Sequence, residues 1–258
     1  MEVGGQSPRS RQQAQALLSG ALSTAVKNKL ILSNPAKEVS KITLNKKTIT
    51  PLTGDEVKTL LHNSMGTFMC ARLHIALLLG LRQGEALGLS IDDIDFESST
   101  LSVYKQVEKI NGAVVHRPLK TSTSMRSLVI PARSLDVLRD HLKIIENMKN
   151  TAGVAWKENG LFFPNGHGEP LNSKVDYNRW LKALKKAGIK RRSLHNARHT
   201  AGTLLYNSNI GIETIRRILG HSSVLMTSNT YVHNSEKPLR AAAREIDTFL
   251  DDADGVEE

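Results

Sequence analysis

Between Ser193 and His233 the sequence places a His-x-x-Arg (His195, Arg198), a Leu-Gly-His (Leu219, Gly220, His221) and, ten residues further on, Tyr231. A phenol is a nucleophile, while imidazole and guanidinium groups donate hydrogen bonds to anionic oxygens, so these parts suit attack on a phosphodiester without a metal. In such an attack negative charge grows on the non-bridging oxygens, the nucleophile loses a proton and the departing 5′ oxygen gains one. A guanidinium fork matches two phosphate oxygens at once, and two arginines from opposite sides make a charge clamp. Arg198 is one candidate and Arg82 the other. Among 35 Lys and Arg residues these two stand out by setting: GLRQGEALGL and LHNARHTAGTLL are apolar, glycine-marked runs with little room for a free surface side chain.

Each residue also has an ordinary reading. A single Arg is more often a solvated charge. His195 lies on the same helical face as Arg198, one turn earlier, where a lone His is usually structural. Gly220-His221 fits a simple helix C-cap as well as a tight turn that aims an imidazole into a cleft. Tyr231 alone reads as an amphipathic packing residue. Glu85, one turn after Arg82, either orients it through an ion pair or is a solvated helix charge. His195 and His199 share the i, i+4 spacing of a zinc-hydrolase helix, but that motif needs a Glu directly after the first His, where Asn196 stands, and a third ligand is not evident.

A chain of 258 residues suits one large or two modest domains, and its apolar content is ample for a buried core. No apolar run approaches a membrane span, and the Met1 region has no signal-peptide apolar stretch, which sets the expectation of a cytoplasmic protein without a membrane partner. The lone Cys70 excludes a disulfide framework and most Cys-based metal sites, and in an apolar helical run it reads as a small buried hydrophobe. A net charge of +10 and a pI near 9.7 point to a polyanionic partner, although basic proteins are common.

The elements that must position these residues are mostly helices. Residues 11–32 carry Ala14, Leu18, Ala21, Leu22, Ala25 and Leu30 at helical spacing, and Asn34-Pro35 stops that helix. Its apolar face has nothing within the segment to pack against. Residues 37–50 are basic and β-branched, a linker that lies along DNA or is merely solvated. Thr53 to Glu56 is a capping box that opens the main domain. A helix follows from about Thr67 to Leu79, Gly80 terminates it, and LRQGEALGL restarts a helix with Arg82 at the junction.

LSVYKQVEK and VVHRPLK, joined near Asn111-Gly112, predict an antiparallel hairpin, with MRSLVIP as a third strand and Lys120 at the second turn. Arg133 to Met148 is a further helix. Leu161–Phe163 is a short apolar element before a Pro164-Asn-Gly turn, and Asn172 or Ser173 caps a helix that runs to Lys186 and ends at Gly188. The Ser193–His233 stretch adds three short helices, the last capped by Ser222 or Ser223. Ser235 to Leu250 closes the chain with an amphipathic helix and an acidic tail. The class is mainly α with a small antiparallel β-sheet (α+β).

Taken in order, GLRQGE (Arg82), RPLKTSTSMRS (Lys120), HNARHT (His195, Arg198), LGHSS (His221) and TYVH (Tyr231) closely resemble the tyrosine recombinase, or phage integrase, family. The resemblance covers about Leu52 to Pro238, and the ordered set is far more specific than any single piece. Asn196-Ala197 stand where many members carry Asp-Leu, a departure that leaves the donors intact. Residues 7–39 look like the end of the family's helical, SAM-like core-binding domain. The implied organisation is a C-terminal remnant of that domain plus a basic linker at 1–48, then the catalytic domain at 49–258.

The resemblance implies a site-specific DNA recombinase that cleaves and rejoins DNA through a 3′-phosphotyrosyl link in integration or excision. Tyr231 attacks, Arg82, Arg198 and His195 stabilise the pentacoordinate phosphorane, Lys120 protonates the leaving oxygen and His221 supports the transition state. No metal, ATP or other cofactor is implied, because bond energy is kept in the phosphotyrosine. The implied partners are a double-stranded recombination site, further copies of the chain in a tetramer on synapsed DNA, and accessory DNA-bending or directionality proteins. Two rivals remain: a type IB topoisomerase-like nicking-closing enzyme, which would use nearly the same residues as a monomer on one duplex, and a non-catalytic or impaired DNA-binding fragment, favoured by the shortened N-terminal region.

Overall fold

Every residue from Cys70 to Leu77 is buried, so this helix has no solvent face and its neighbours are layered around it. The computed structural model describes residues 5–40, 42–43, 50–110, 113–119, 121–221 and 223. The chain divides into two compact units, Met1–Thr48 and Ile49–Glu258.

In the first unit, helix α1 spans Pro8–Lys27, with Ser7 as N-cap accepting from the Ser10 amide at 3.1 Å. It ends before the apolar spacing predicts, because Lys29 takes a left-handed φ of 57° and the Leu30 amide closes back on the Ala25 carbonyl at 2.9 Å. Asn34 caps a 3-10 turn at Pro35–Lys37 and donates to the Ser19 carbonyl and Ser23 hydroxyl at 2.9 and 2.8 Å. No residue of α1 is buried, and Leu17 and Leu18 remain exposed.

The second unit opens with α2 (Gly54–His62), where the expected capping box forms: Thr53 Oγ1 accepts from the Glu56 amide at 3.2 Å and Glu56 accepts from the Thr53 amide at 2.8 Å. Then come α3 (Phe68–Leu77), α4 (Gln83–Leu87), β1 (Ile94–Asp95), β2 (Thr100–Val103), β3 (Lys105–Ile110), β4 (Ala113–Pro118) and β5 (Arg126–Val129). The chain continues through α5 (Ala132–Ala152), α6 (Ser173–Lys186), α7 (His195–Asn207) and α8 (Ile212–Leu219). On one side of α3, Ala71 and Ile75 join Leu101, Val103, Leu128, Leu138, Phe162 and Phe163 in a core shared with the strands and α5. On the other, Leu73, Ala76 and Leu77 pack with Leu60, Trp180, Leu184 and Ala197 from α2, α6 and α7. A small cluster of Ala201, Ile215 and Leu219 joins α7 to α8.

The strands correct one expectation. LSVYKQVEK is not one hairpin strand but two, in different sheets: β2 lies between β1 and β5, with Leu101 opposite Ile94 and Leu128, while β3 pairs, among the described residues, with β4 alone, Val107 standing opposite His116. The break falls at Tyr104, where inward-facing Leu101 and Val103 give way to polar anchoring. Tyr104 donates its hydroxyl to Asp93 at 2.8 Å and its carbonyl accepts from the Leu119 amide at 3.0 Å. The third strand therefore joins β2, not the hairpin. Lys120, Ser222, Tyr231, the third short helix and the closing helix at 235–250 lie outside the described residues. Among the described residues no helix is long and apolar enough to cross a membrane.

Candidate active site

The turn between α3 and α4 places Arg82. Gly80 adopts φ +66°, and a Cβ there would lie 2.5 Å from Leu219 Cδ2 and 3.2 Å from Ala201 Cβ, so only glycine lets this turn sit against α7 and α8. Arg82 then serves as N-cap of α4. Glu85, fully buried at the third helical position, accepts from the Arg82 amide at 2.9 Å and from Arg82 Nη1 at 2.7 Å. The ion-pair reading of Glu85 holds, and the solvated-charge reading does not. Arg82 Nη2 donates to the Gly220 carbonyl at 3.2 Å, and its side chain stays 39% exposed.

Glu85 has a second cation. Arg126 Nη2 lies 2.9 Å from Glu85 Oε2. Burial by itself raises the Glu85 carboxyl, but the charge and hydrogen bond of Arg126, followed by the bonds from Arg82, reverse this and hold it at about 2.

Arg198 sits in the first turns of α7 with only 3% of the residue exposed. Its Nη1 donates to the Gly80 carbonyl at 2.8 Å, and its Nη2 donates to the Leu219 carbonyl. Helix α8 ends on Gly220 in the left-handed conformation, φ 60° and ψ 51°. Its last carbonyls, which have no partner within the helix, are taken by three arginines: Ile218 by Arg126 Nε at 2.7 Å, Leu219 by Arg198 and Gly220 by Arg82. His221 follows directly, buried, with its carbonyl accepting from Arg216 Nη1 at 3.0 Å.

Three imidazoles respond to these cations. His195, the first residue of α7, meets His199 edge to face with ring centroids 4.7 Å apart. Burial, then Arg198 and Arg82, lower His195. Burial, His195 and Arg198 lower His199 to about 4. Burial, Arg198, Arg82, His199 and Arg126 lower His221 to about 3. All three are therefore neutral at pH 7, each with one N–H to donate and one nitrogen to accept. Among the described residues no group of three His, Cys, Asp or Glu side chains forms a metal-binding set, so the paired imidazoles find no third ligand there.

The fold thus brings Arg82, from the start of α4, to His195, Arg198 and His221, which lie much later in the chain, while Lys120 and Tyr231 are outside the described residues. Lys105, another basic residue of the hairpin region, is engaged elsewhere, donating to Ser90 Oγ at 2.8 Å and pairing with Asp93 at 2.9 Å. Sequence reasoning missed Arg126. Its signal lay in strand parity, because Arg126 shares its face with buried Leu128 and Ile130 and so points inward, where a guanidinium requires a buried acceptor. Two guanidiniums beside neutral imidazole donors form a site suited to charge on a phosphoryl group.

Residues 50–237 match the model of the phage integrase family. A tyrosine recombinase XerC-like protein of Caldanaerobacter subterraneus subsp. tengcongensis is 29% identical over 191 residues, covering 69% of this chain and 49% of that protein. An integrase of Streptomyces ambofaciens is 30% identical over 192 residues, covering 70% of this chain and 48% of its own length. The matched part thus spans about half of each relative. In structure, the Tn1549 transposon integrase in complex with a circular intermediate DNA has a TM-score of 0.74 at 23% identity, covering 94% of this chain and 80% of that one, a likeness of fold.

Proposed function

The chain belongs to the phage integrase family, and on that premise we propose that it is a site-specific DNA recombinase acting through a 3′-phosphotyrosyl intermediate. The observation that carries this reading is the convergence of Arg82 and Arg198 on the consecutive carbonyls of Gly220 and Leu219, with His221 next in the chain. In this reading the Tyr231 phenol releases its proton to solvent as its oxygen bonds to the scissile phosphorus, and the bond from phosphorus to the 5′ oxygen breaks. Arg82 and Arg198 bind the non-bridging oxygens as negative charge grows, His195 and His221 donate to the same centre, and Lys120 supplies the proton to the departing 5′ oxygen. The phosphotyrosine conserves bond energy, so rejoining by a 5′ hydroxyl needs neither ATP nor a metal. Residues 49–258 act as the catalytic domain, with residues 1–48 as part of a helical core-binding domain and a basic linker. The substrate is a double-stranded recombination site in the cytoplasm, synapsed by a tetramer of such chains.

A suicide DNA substrate, nicked so that the cut end diffuses away, tests this reading in chelator and without ATP. The chain should form a denaturant-stable covalent adduct, and Tyr231→Phe should form none. An undiminished adduct in that variant would move the nucleophile elsewhere, Tyr206 being the next candidate. DNA binding with no adduct from the unaltered chain would favour the non-catalytic DNA-binding reading instead.

A further inference from the structure

Arg126 holds together parts of the site that the proposed chemistry assigns to other residues. Its Nη2 pairs with Glu85 at 2.9 Å, its Nε donates to the Ile218 carbonyl at 2.7 Å and its Nη1 donates to the Ser124 carbonyl at 3.0 Å. All three nitrogens are engaged, and the side chain is 6% exposed against 39% for Arg82. Arg126 is thus turned inward where Arg82 is turned partly outward. Gly220 is fitted to this arrangement, because a Cβ there would meet Arg126 Nη1 at 3.0 Å. The left-handed glycine that ends α8 also leaves the space that the guanidinium fills.

We propose that Arg126 is a positioning residue for DNA cleavage, fixing Arg82 through Glu85 and His221 through the end of α8 without touching the phosphate itself. The inference rests on the recombinase reading above. A hydrophobic residue would fill an inward strand position beside Leu128 and Ile130 and would often be at least as stable as a buried ion pair. What it would lack is direction. Without Arg126, Arg82 is the one ionic partner left to Glu85 among the described residues, and the Ile218 carbonyl loses the Arg126 donor. The acid that orients the clamp and the helix end that carries His221 would then move independently.

Strand cleavage by the full chain, measured in single turnover, separates positioning from mere folding. One substrate carries the ordinary scissile phosphodiester and the other a methylphosphonate, which lacks one charged non-bridging oxygen and so depends less on the clamp. Arg126→Met should slow cleavage of the phosphodiester roughly 10- to 100-fold and of the methylphosphonate by no more than about 3-fold, the same pattern as Arg82→Ala. Adding Arg126→Met to Arg82→Ala should cost no more than about a further 3-fold on the phosphodiester, because both act through one group. Arg126→Lys, whose ammonium cannot hold Glu85 and the Ile218 carbonyl with fork geometry, should fall between wild type and Arg126→Met. If Arg126→Met fails to fold, Arg126→Lys carries the same substrate comparison. Equal slowing on both substrates, or full additivity with Arg82→Ala, would overturn the proposal while leaving the recombinase reading intact. A wild-type chain that cleaves neither substrate would overturn both.

Discussion

Two buried carboxylates are joined to adjacent residues at the start of α4, Glu85 to Arg82 and Asp176 to Gln83. Asp176, on α6, receives Arg72 of α3 as a parallel fork, Nε and Nη2 both at 2.9 Å, and Gln83 Nε2 at 2.9 Å. The Arg72 and Asp176 side chains are 2% and 1% exposed, so this charge pair is closed to solvent on both sides. Arg72 also lies over the Phe163 ring, 6.0 Å from its centroid. Glu85 is just as buried and also holds arginines, yet Arg82 remains 39% exposed. The same chemistry therefore serves two purposes. A carboxylate whose cations are wholly enclosed bolts helices together. One whose cation reaches the surface holds that cation in place while leaving it accessible from outside.

The largest expected effect lies on the enclosed side. Arg72→Met leaves the Asp176 charge buried with Gln83 as its one remaining side-chain donor among the described residues, a loss of about 3–5 kcal/mol of stability by analogy with other broken buried pairs. Denaturant unfolding measures the loss, and cleavage per folded molecule should be unchanged. Arg82→Ala should behave in the opposite way, because Glu85 keeps Arg126: folding changes little while cleavage suffers. If Arg72→Met slows cleavage by the folded fraction as severely as Arg82→Ala does, the two carboxylates do not divide scaffold from site.

Acid should strain both regions, beginning with the histidines. His141, in the scaffold, is pushed to about 4 by burial, partly offset by its bond to the Phe162 carbonyl, and His221, in the site, lies at about 3 for the causes already given. A folded-state value below the ordinary 6.5 means that the unfolded chain binds more protons between the two values. Their contribution is complete above pH 6.5 and is lost as pH falls toward 4 and 3. Glu85, at about 2 against an ordinary 4.5, adds a loss that starts only below pH 4.5. Each fully coupled group contributes a slope of up to about 1.4 kcal/mol per pH unit. Urea unfolding at a series of pH values should therefore show stability declining well above the carboxylate range. A flat profile from pH 6.5 to 4.5 would mean that these imidazoles accept protons in the folded state at little cost.

The enclosed and open regions differed in how far they could be read from sequence. Local signals were sufficient where geometry is local: Thr53 with Glu56 gave the cap of α2, Gly80 and Gly220 gave the left-handed stops, and the apolar run through Cys70 and Leu77 gave a buried helix. The residue types at Arg82, His195, Arg198 and His221 pointed to phosphoryl chemistry because few chemistries need that set. Pairings across the chain were not legible. Nothing near Arg72 announces Asp176, and nothing near Arg126 announces Glu85, because a buried ion pair leaves no periodicity in either segment. The change of sheet at Tyr104 was hidden for a related reason, since β2 and β3 continue one another in sequence and differ only in distant partners.

The smallest expected effect falls where the two regions meet. Gln83 follows Arg82 directly, yet its side chain is turned to the enclosed side, donating to the Ser173 carbonyl at 2.8 Å and to Asp176 Oδ2 at 2.9 Å. Gln83→Met keeps the length and helix preference of the side chain and removes both donations. The cost should be about 1–2 kcal/mol of stability, since one acceptor is charged and the position is only partly buried. In a double-mutant cycle with Arg72→Met the stability losses should be non-additive by at least about 0.5 kcal/mol, because both donors serve Asp176. With Arg82→Ala, the effects on cleavage should add, since the Gln83 side chain donates to Ser173 and Asp176 rather than into the Glu85 and Arg126 network. A roughly tenfold loss of cleavage in Gln83→Met alone, about 1.4 kcal/mol of barrier, would break the comparison. It would mean that the enclosed carboxylate sets the backbone position of Arg82, making α4 a shared beam between scaffold and site.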